Sequence, residues 1–299
     1  MRHKFRFSEK CINHLKNLCG WPDKAAGAAK VRREKQAKPE AAAQATEETQ
    51  APASVVPVTP EKKNPCIITR TDRGLVRASN QDAVVEGENI AGVADGMGGH
   101  NGGEVASAGA RDLLLAYLAD KDVAEEEMCA AIAHANTGLY EMQQQKEALQ
   151  GMGTTMTVLW FDAESIVIGH VGDSRAYRLR DGVLEQITRD HSMVAELVAQ
   201  GILTPEQAAC HPMRNVITRA VGTEATIAVD TTRIERKHGD LWLVCSDGLY
   251  GMVSDGQMQT ILNENQPETA ADLLIQAALD GGGRDNVSLA IFLDREDKQ

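Results

Sequence analysis

Short apolar runs, many of them closed by a carboxylate or a glycine, set the rhythm of the chain from about residue 66 onward. CIITRTDRG reads as a strand running into a loop. AVVEGENIAGVAD holds two apolar runs around the turn-like EGEN, the pattern of a hairpin. In EVASAGARDLLLAYLAD, Val105, Leu113, Leu114, Tyr117 and Leu118 mark one helix face. EEEMCAAIAHANTGLYEMQQQKEAL predicts a second helix, whose acidic start suits the helix dipole. TTMTVLWF, SIVIGHVGD and RAYRLRDGVLEQIT predict strands in quick succession, the last folded back at Asp181-Gly182. Ser192 and Gly201 bracket a helical SMVAELVAQ, and Thr204-Pro205-Glu206-Gln207 is a capping box with proline at the first helical position. DLWLVCSDG predicts a buried strand, PETAADLLIQAALDGG a helix and NVSLAIFL a closing strand. Helices grouped between runs of hairpin-linked strands, without internal repeats, predict an α+β layered sandwich.

Before residue 66 the pattern changes. Phe7, Cys11, Leu15 and Leu18 allow a short amphipathic helix within residues 1–22, either docked on a partner or on the domain, or a tail without function. Residues 23–65 are rich in Ala, Lys, Glu and Pro and nearly devoid of large apolar side chains, which predicts a disordered linker. The expected organisation is therefore this extension, one domain over residues 66–294, and a tail at 295–299.

Composition narrows the function classes. The 299 residues carry a net charge of −12, a poor field for gripping nucleic acid or an anionic membrane. The basic start MRHKFRF leaves membrane contact by the N-terminus open. Six scattered cysteines without a CxxC pair argue against a zinc cluster or disulfide scaffold and for a reducing cytoplasm. No apolar run reaches membrane-spanning length, and the N-terminus lacks the apolar centre of a signal peptide. No interface pattern stands out, so a monomer is expected.

The candidate chemistry lies where strands meet aspartates. GVADG places Asp95, HVGDS places Asp173 and LVCSDG places Asp247 at strand ends, while GGGRDNV sets Asp285 just before the last strand. A single Asp-Gly is ordinarily a turn. Four such carboxylates beside apolar strands point to a site for hard divalent cations, which take oxygen ligands and remove the repulsion between them. In VADGMGGHNGG the glycine after Asp95 would let the Gly96 carbonyl approach a metal. A phosphate-binding P-loop is excluded because no Gly-Lys-Ser/Thr follows. Ser174 and Ser246 adjoin carboxylates, but no GxSxG elbow supports a serine nucleophile. Cys245 lacks a CX5R loop and reads as core. His170 reads as a packed strand residue and His191 as a local hydrogen-bonding residue at a helix start. His100 reads either as a site residue or as a surface histidine.

Together, TDRGLVRASNQD, VADGMGGHNGGEVAS, GMGTT, HVGDSRAYRLRDG, TRDHS, ITRAVG, LVCSDGLYGMV and GGGRDNVSLAIF resemble the metal-dependent protein Ser/Thr phosphatases, the PPM or type 2C group, in their bacterial form. The resemblance runs over residues 66–294 in unbroken motif order and omits the N-terminal extension. It implies a four-layer α-β-β-α sandwich of two antiparallel sheets with two Mn²⁺ or Mg²⁺ ions, and a third more weakly held, at one edge. By motif, Asp95 would bridge the ions, Gly96 would donate its carbonyl, Asp247 and Asp285 would ligate, and Asp173 would serve the third ion. Asp82 would belong to the outer metal shell, Arg77 would grip the substrate phosphate, and residues 190–214 would form a flap. Phosphoserine and phosphothreonine proteins would be hydrolysed by metal-activated water, with His100 or a metal-bound water protonating the leaving group. A cognate Ser/Thr kinase and its targets are the partners this implies. The alternatives are a catalytically silent phosphoprotein-binding module, which would be expected to lose a metal carboxylate, and a phosphatase of small esters.

Overall fold

The computed structural model describes residues 66–99 and 102–294. The expectations for residues 1–22, 23–65 and 295–299, and for His100, lie outside the described residues.

Two antiparallel sheets form the centre. The first runs in the order β2 (Asp82–Glu86), β3 (Ile90–Met97), β5 (Met156–Phe161), β6 (Ser165–Val171), β9 (Asp230–Glu235), with β4 (Gly153–Thr154) paired to the end of β3. The second runs β1 (Cys66–Asp72), β11 (Val287–Leu293), β10 (Leu241–Cys245), β7 (Arg175–Arg180), β8 (Val183–Gln186). Helices α1 (Gly102–Leu118) and α2 (Glu125–Gln145) cover the first sheet, and α6 (Asp255–Glu264) and α7 (Pro267–Asp280) cover the second. The result is the four-layer α-β-β-α sandwich.

The parity of the strands explains the continuous apolar runs. Along β5, Met156, Val158 and Trp160 pack toward α1 and α2, whereas Leu159 and Phe161 face the other sheet. Along β10, Leu241, Leu243 and Cys245 pack toward α6 and α7, whereas Trp242 and Val244 enter the seam between the sheets. Both faces of these strands are dry, so no polar alternation survives in the sequence. The Phe161 and Phe292 rings stack across the seam with centroids 4.1 Å apart. The Arg236 guanidinium lies over both rings and is held by Asp294 at 2.8 Å.

Local signals hold where they rest on backbone chemistry. Asp181 and Gly182 take φ values of 52° and 81°, the conformation a two-residue hairpin turn demands. The Ser192 and Thr204 caps form, the latter as a complete box.

Other elements differ from expectation. The inner face of α1 consists of Ala106, Ser107, Ala110, Leu114 and Leu118, while Val105 is exposed. Small residues let the helix approach the sheet closely, and the largest side chains are displaced to its flank. Strand β9 and helices α5 (Asp247–Tyr250) and α6 were not anticipated. β9 is an edge strand whose residues are at most half-buried, so it has no hydrophobic alternation to read. α6 opens on a Ser254–Gln257 capping box, the signal already recognised at Thr204. Among the described residues no helix is long and apolar enough to cross a membrane.

Phe161→Ala should cost about 3–5 kcal/mol, because it removes an aromatic ring from a closed seam. Val183→Ser, at a position 62% exposed, should shift stability by less than about 0.5 kcal/mol. Urea denaturation midpoints of the two variants check the contrast.

Candidate metal centre

Strand register is what brings the first two carboxyls together. In the β2–β3 hairpin Asp82 is the direct cross-strand partner of Asp95, so both side chains leave the same face of the sheet. Asp95 stands within β3, which continues to Met97, rather than at its end. Its backbone is clamped from the neighbouring segment. The Asp95 N–H donates to Thr155 Oγ1 at 2.8 Å, and its carbonyl accepts from the Thr155 N–H at 2.8 Å and the Thr154 hydroxyl at 2.9 Å.

The second sheet supplies the opposite side. Asp247 opens α5 directly beyond β10, and Asp285 lies just before β11, the strand antiparallel to β10. Ser246 ties these segments together and to the first sheet. Its hydroxyl donates to Asp82 Oδ2 at 2.8 Å and accepts from the Ser288 N–H at 3.0 Å. That commitment, with no histidine base joined to it, removes Ser246 as a nucleophile.

Arg77 arrives on the loop after β1. Asn286 Oδ1 accepts from the Gln81 N–H at 2.8 Å, and its amide nitrogen donates to the Arg73 and Ser79 carbonyls at 2.9 Å each. Gly74, at φ 76°, packs so tightly that an added Cβ would lie 2.2 Å from the Asp285 carbonyl oxygen. Held in this way, Arg77 Nη2 reaches Asp285 Oδ2 at 2.7 Å with half of its side chain exposed.

Asp173 follows β6 and flanks the group from a cleft of about 730 Å³ that Asp247, Arg175, Asp190, Arg214 and Tyr250 also line. Arg175 grips Asp190 with Nε and Nη2 and lies 3.7 Å from the Tyr250 ring centre. The Tyr250 hydroxyl in turn donates to the Asp173 carbonyl at 3.0 Å. The structure therefore gathers Asp82, Asp95, Asp247, Asp285 and Arg77, with Asp173 alongside. At Gly96 an added Cβ would sit 2.0 Å from the Gly103 carbonyl oxygen and 2.4 Å from that of Gln81. Its close approach is to protein backbone. Thr154, Thr155, Ser246 and Asn286 were missed as supports, although each sits inside or next to a quoted motif.

A family model described as protein phosphatase 2C matches residues 76–277. The chain belongs to this family. It is 44% identical over 231 residues to the serine/threonine protein phosphatase PstP of Mycobacterium tuberculosis, a match that covers 74% of this chain and 43% of that protein. The chain thus spans less than half the length of that relative. It is 38% identical over 235 residues to the serine/threonine phosphatase Stp of Listeria monocytogenes, covering 74% of this chain and 93% of that one. A crystal structure of the catalytic domain of PstP in complex with two manganese ions aligns with a TM-score of 0.68 at 39% identity, covering 76% of this chain and 96% of that chain.

The electrostatics of these carboxylates are those of an unbalanced cluster. Burial, and then the charges of Asp82, Asp247, Asp173 and Asp285, drive the Asp95 carboxyl well above the usual range. Burial lifts Asp82 to about 6, with the Asp247 charge adding to it against hydrogen bonds from Ser288 and Ser246. Burial, Asp247 and Asp190 lift Asp173 to about 7. Burial and the Asp285 charge raise Asp247, opposed by Asp95 and Arg77. One arginine does not neutralise this set.

Two observations test the fit of a metal. Asp82 Oδ1 is buried without a hydrogen-bond partner, and the donors are hard carboxylate oxygens of the kind Mg²⁺ and Mn²⁺ prefer. Among the described residues no three His, Cys, Asp or Glu side chains close around one point to cage an ion. The arrangement therefore fits cations held by few carboxylates with water completing the shell, and does not fit a closed structural site.

These values generate a pH prediction. The folded value of Asp82 exceeds its unfolded value of about 4, so its ionisation opposes folding. The penalty is absent below about pH 4, grows to about 3 kcal/mol above the folded value, and is removed by a bound cation. In chelator, Asp82→Asn should be more stable than the unsubstituted protein at pH 7.5, and the gap should narrow through pH 4.5 and close by about pH 3.5. Excess Mn²⁺ should reverse the order at pH 7.5. Thermal melts of both proteins across this range provide the check.

Proposed function

We propose that this chain hydrolyses phosphoserine and phosphothreonine in proteins at a binuclear Mn²⁺ or Mg²⁺ centre. The observation that carries the reading is the placement of Arg77. Its guanidinium is bonded to Asp285 and lies in the field of Asp95 and Asp247, so a cationic fork for a phosphoryl group stands directly beside a carboxylate cluster.

In this reading Asp95, the Gly96 carbonyl, Asp247 and Asp285 would hold the two ions, Asp173 would serve a third, weaker one, and Asp82 would support the shell. Bound ions would supply Lewis acidity toward the phosphoryl oxygens and a water acidified to near neutral pH. The chain's own residues supply position. Thr154 and Thr155 fix the Asp95 backbone, Ser246 orients Asp82, and Asn286 holds the Arg77 loop. Arg77 would then orient the phosphoryl group by paired N–H donors, which a lysine cannot reproduce. His100, from its place in DGMGGH alone, or a metal-bound water would protonate the leaving alkoxide.

A protein substrate is supported by the names of the relatives, and the cleft of about 730 Å³ at Asp173 and Asp247 lies beside the carboxylates. A silent binding module finds no support, because every expected carboxylate is retained. By the same inference the enzyme works as a cytoplasmic monomer on the products of a Ser/Thr kinase. The free thiols of Cys129, Cys210 and Cys245 support the reducing location.

Turnover of a phosphothreonine peptide should require Mn²⁺ or Mg²⁺ and vanish in EDTA. Asp247→Ala and Asp285→Ala should each lower kcat/KM by about a thousandfold while the protein stays folded by circular dichroism. Full activity in chelator would exclude the mechanism. Mn²⁺ binding by calorimetry without turnover would favour the silent module.

A further inference from the structure

His191 holds more than a helix start. The long segment between β8 and β9 carries only the short helices α3 (Met193–Ala199) and α4 (Pro205–Ala209). Its outgoing and returning limbs meet at a bridge between Ser192 and Ile217, next to a 2.9 Å hydrogen bond from the Met193 N–H to the Val216 carbonyl. His191 sits where these limbs converge on the body of the domain, and it is buried.

Four hydrogen-bond contacts tie this residue to Gly172, Thr218 and Asp230, and Arg219 Nη1 lies 3.1 Å from its ring Nε2. Its N–H donates to the Gly172 carbonyl at 2.7 Å, and its carbonyl accepts from the Thr218 N–H at 2.8 Å. Its ring Nδ1 accepts from the Gly172 N–H at 3.0 Å, and Nε2 lies 3.2 Å from Asp230 Oδ2. Because Nδ1 receives an N–H, the ring proton sits on Nε2, which donates to Asp230. Arg219, on the returning limb, binds the same carboxylate at 2.6 Å. Behind this ring, His170 packs 4.6 Å away with its Nε2 3.0 Å from the Arg189 carbonyl oxygen.

Gly172 is the point of transmission. Both polar groups of its backbone are taken by His191, and its φ of 108° places it where only glycine is comfortable. An added Cβ would meet Thr155 at 2.6 Å. Thr155 is the residue that receives the Asp95 N–H and shares a 2.7 Å hydrogen bond with Ser174. Gly172 is therefore wedged between His191 and Thr155, and the next residue in the chain is Asp173.

We propose that His191 is a positioning residue that couples the excursion at residues 192–217 to the placement of the Asp173 carboxylate, through its hold on the Gly172 peptide. Such coupling is reciprocal: what draws Asp173 into the carboxylate cluster tightens the limbs, and what loosens the limbs frees Asp173. The proposal rests on the metal centre of the phosphatase reading, and only the kinetic arm of its test needs turnover.

Two substitutions separate the contacts. His191→Asn keeps an acceptor near the place of Nδ1, facing Gly172. His191→Gln carries its amide out toward Asp230 and leaves the Gly172 N–H without an acceptor. Tryptic cleavage after the exposed Arg214, followed by mass spectrometry, reads the excursion without any turnover. Mn²⁺ should slow this cleavage about fivefold or more in the unsubstituted protein and in the Asn variant, and have no effect in the Gln variant. The Mn²⁺ concentration for half-maximal hydrolysis of a phosphothreonine peptide should rise about tenfold in the Gln variant and stay within about twofold in the Asn variant.

Mn²⁺-dependent protection that survives in a folded Gln variant overturns the proposal, as does an Asn variant that behaves like Gln. Should the Gln variant not fold, amide exchange in the unsubstituted protein decides. Mn²⁺ should slow exchange at Gly172 and Thr218 together, and slowing at one alone would overturn the coupling. Absence of turnover with the Mn²⁺-dependent protection intact would instead count against the phosphatase reading and leave the coupling standing.

Discussion

Two carboxyls facing each other across one hairpin register are the constraint on which the rest depends. Asp82 and Asp95 stand side by side because β2 and β3 pair there, and like charges in that position oppose folding. Asp247 and Asp285 add to the opposition from the second sheet. A flexible chain would relax by swinging these groups apart. The sandwich does not allow it, because each carboxylate is anchored within two residues of a strand, and all of these strands except β2 are packed on both faces. Stability given up at this edge is offset by the dry seam and the two helix-covered cores.

Topology explains why far-separated residues share that edge. Asp247 follows the C-terminal end of β10, and β11 runs antiparallel beside it, so the residue preceding β11 returns to the same rim. β1 is antiparallel to β11 on its other side, with Asp72 opposite Val287, so the loop leading to Arg77 emerges there too. In the first sheet Met156 pairs with Val171, which brings the Thr154–Thr155 clamp beside the Gly172–Asp173 turn. One rim thus collects an arginine, the aspartates and the hydroxyls that orient them. The opposite rim holds Arg236 with Asp294 and Arg180 with Asp240, each carboxylate there being matched by an arginine.

Much of this was legible where the signal was local. The hairpin turn at Asp181-Gly182, the caps at Ser192 and Thr204, and the aspartates beside apolar runs all depend on the residue and its immediate neighbours. The errors fall where the deciding partner is distant. Val105 looks like part of a helix face, but the sheet accepts Ala106 and Ala110 because close approach needs small side chains. β9 has no apolar alternation because it lies at an edge. His191 reads as a helix-start residue, whereas its ring is shared between Gly172 and Asp230.

By itself, the amino-acid sequence determined most of the strands, two of the caps, the acidic residues beside apolar strands and a motif order sufficient to indicate family and fold class. Periodicity and capping act over a few residues, so a linear text can carry them. Only the tertiary structure decided which carboxyls face each other, that Asn286 fastens the Arg77 loop, that Gly96 is squeezed by Gly103 and Gln81, and that His191 joins both limbs to the Gly172 peptide. Those outcomes depend on strand register and layer packing, which bring together residues more than two hundred positions apart and leave no trace in the local pattern of any one of them.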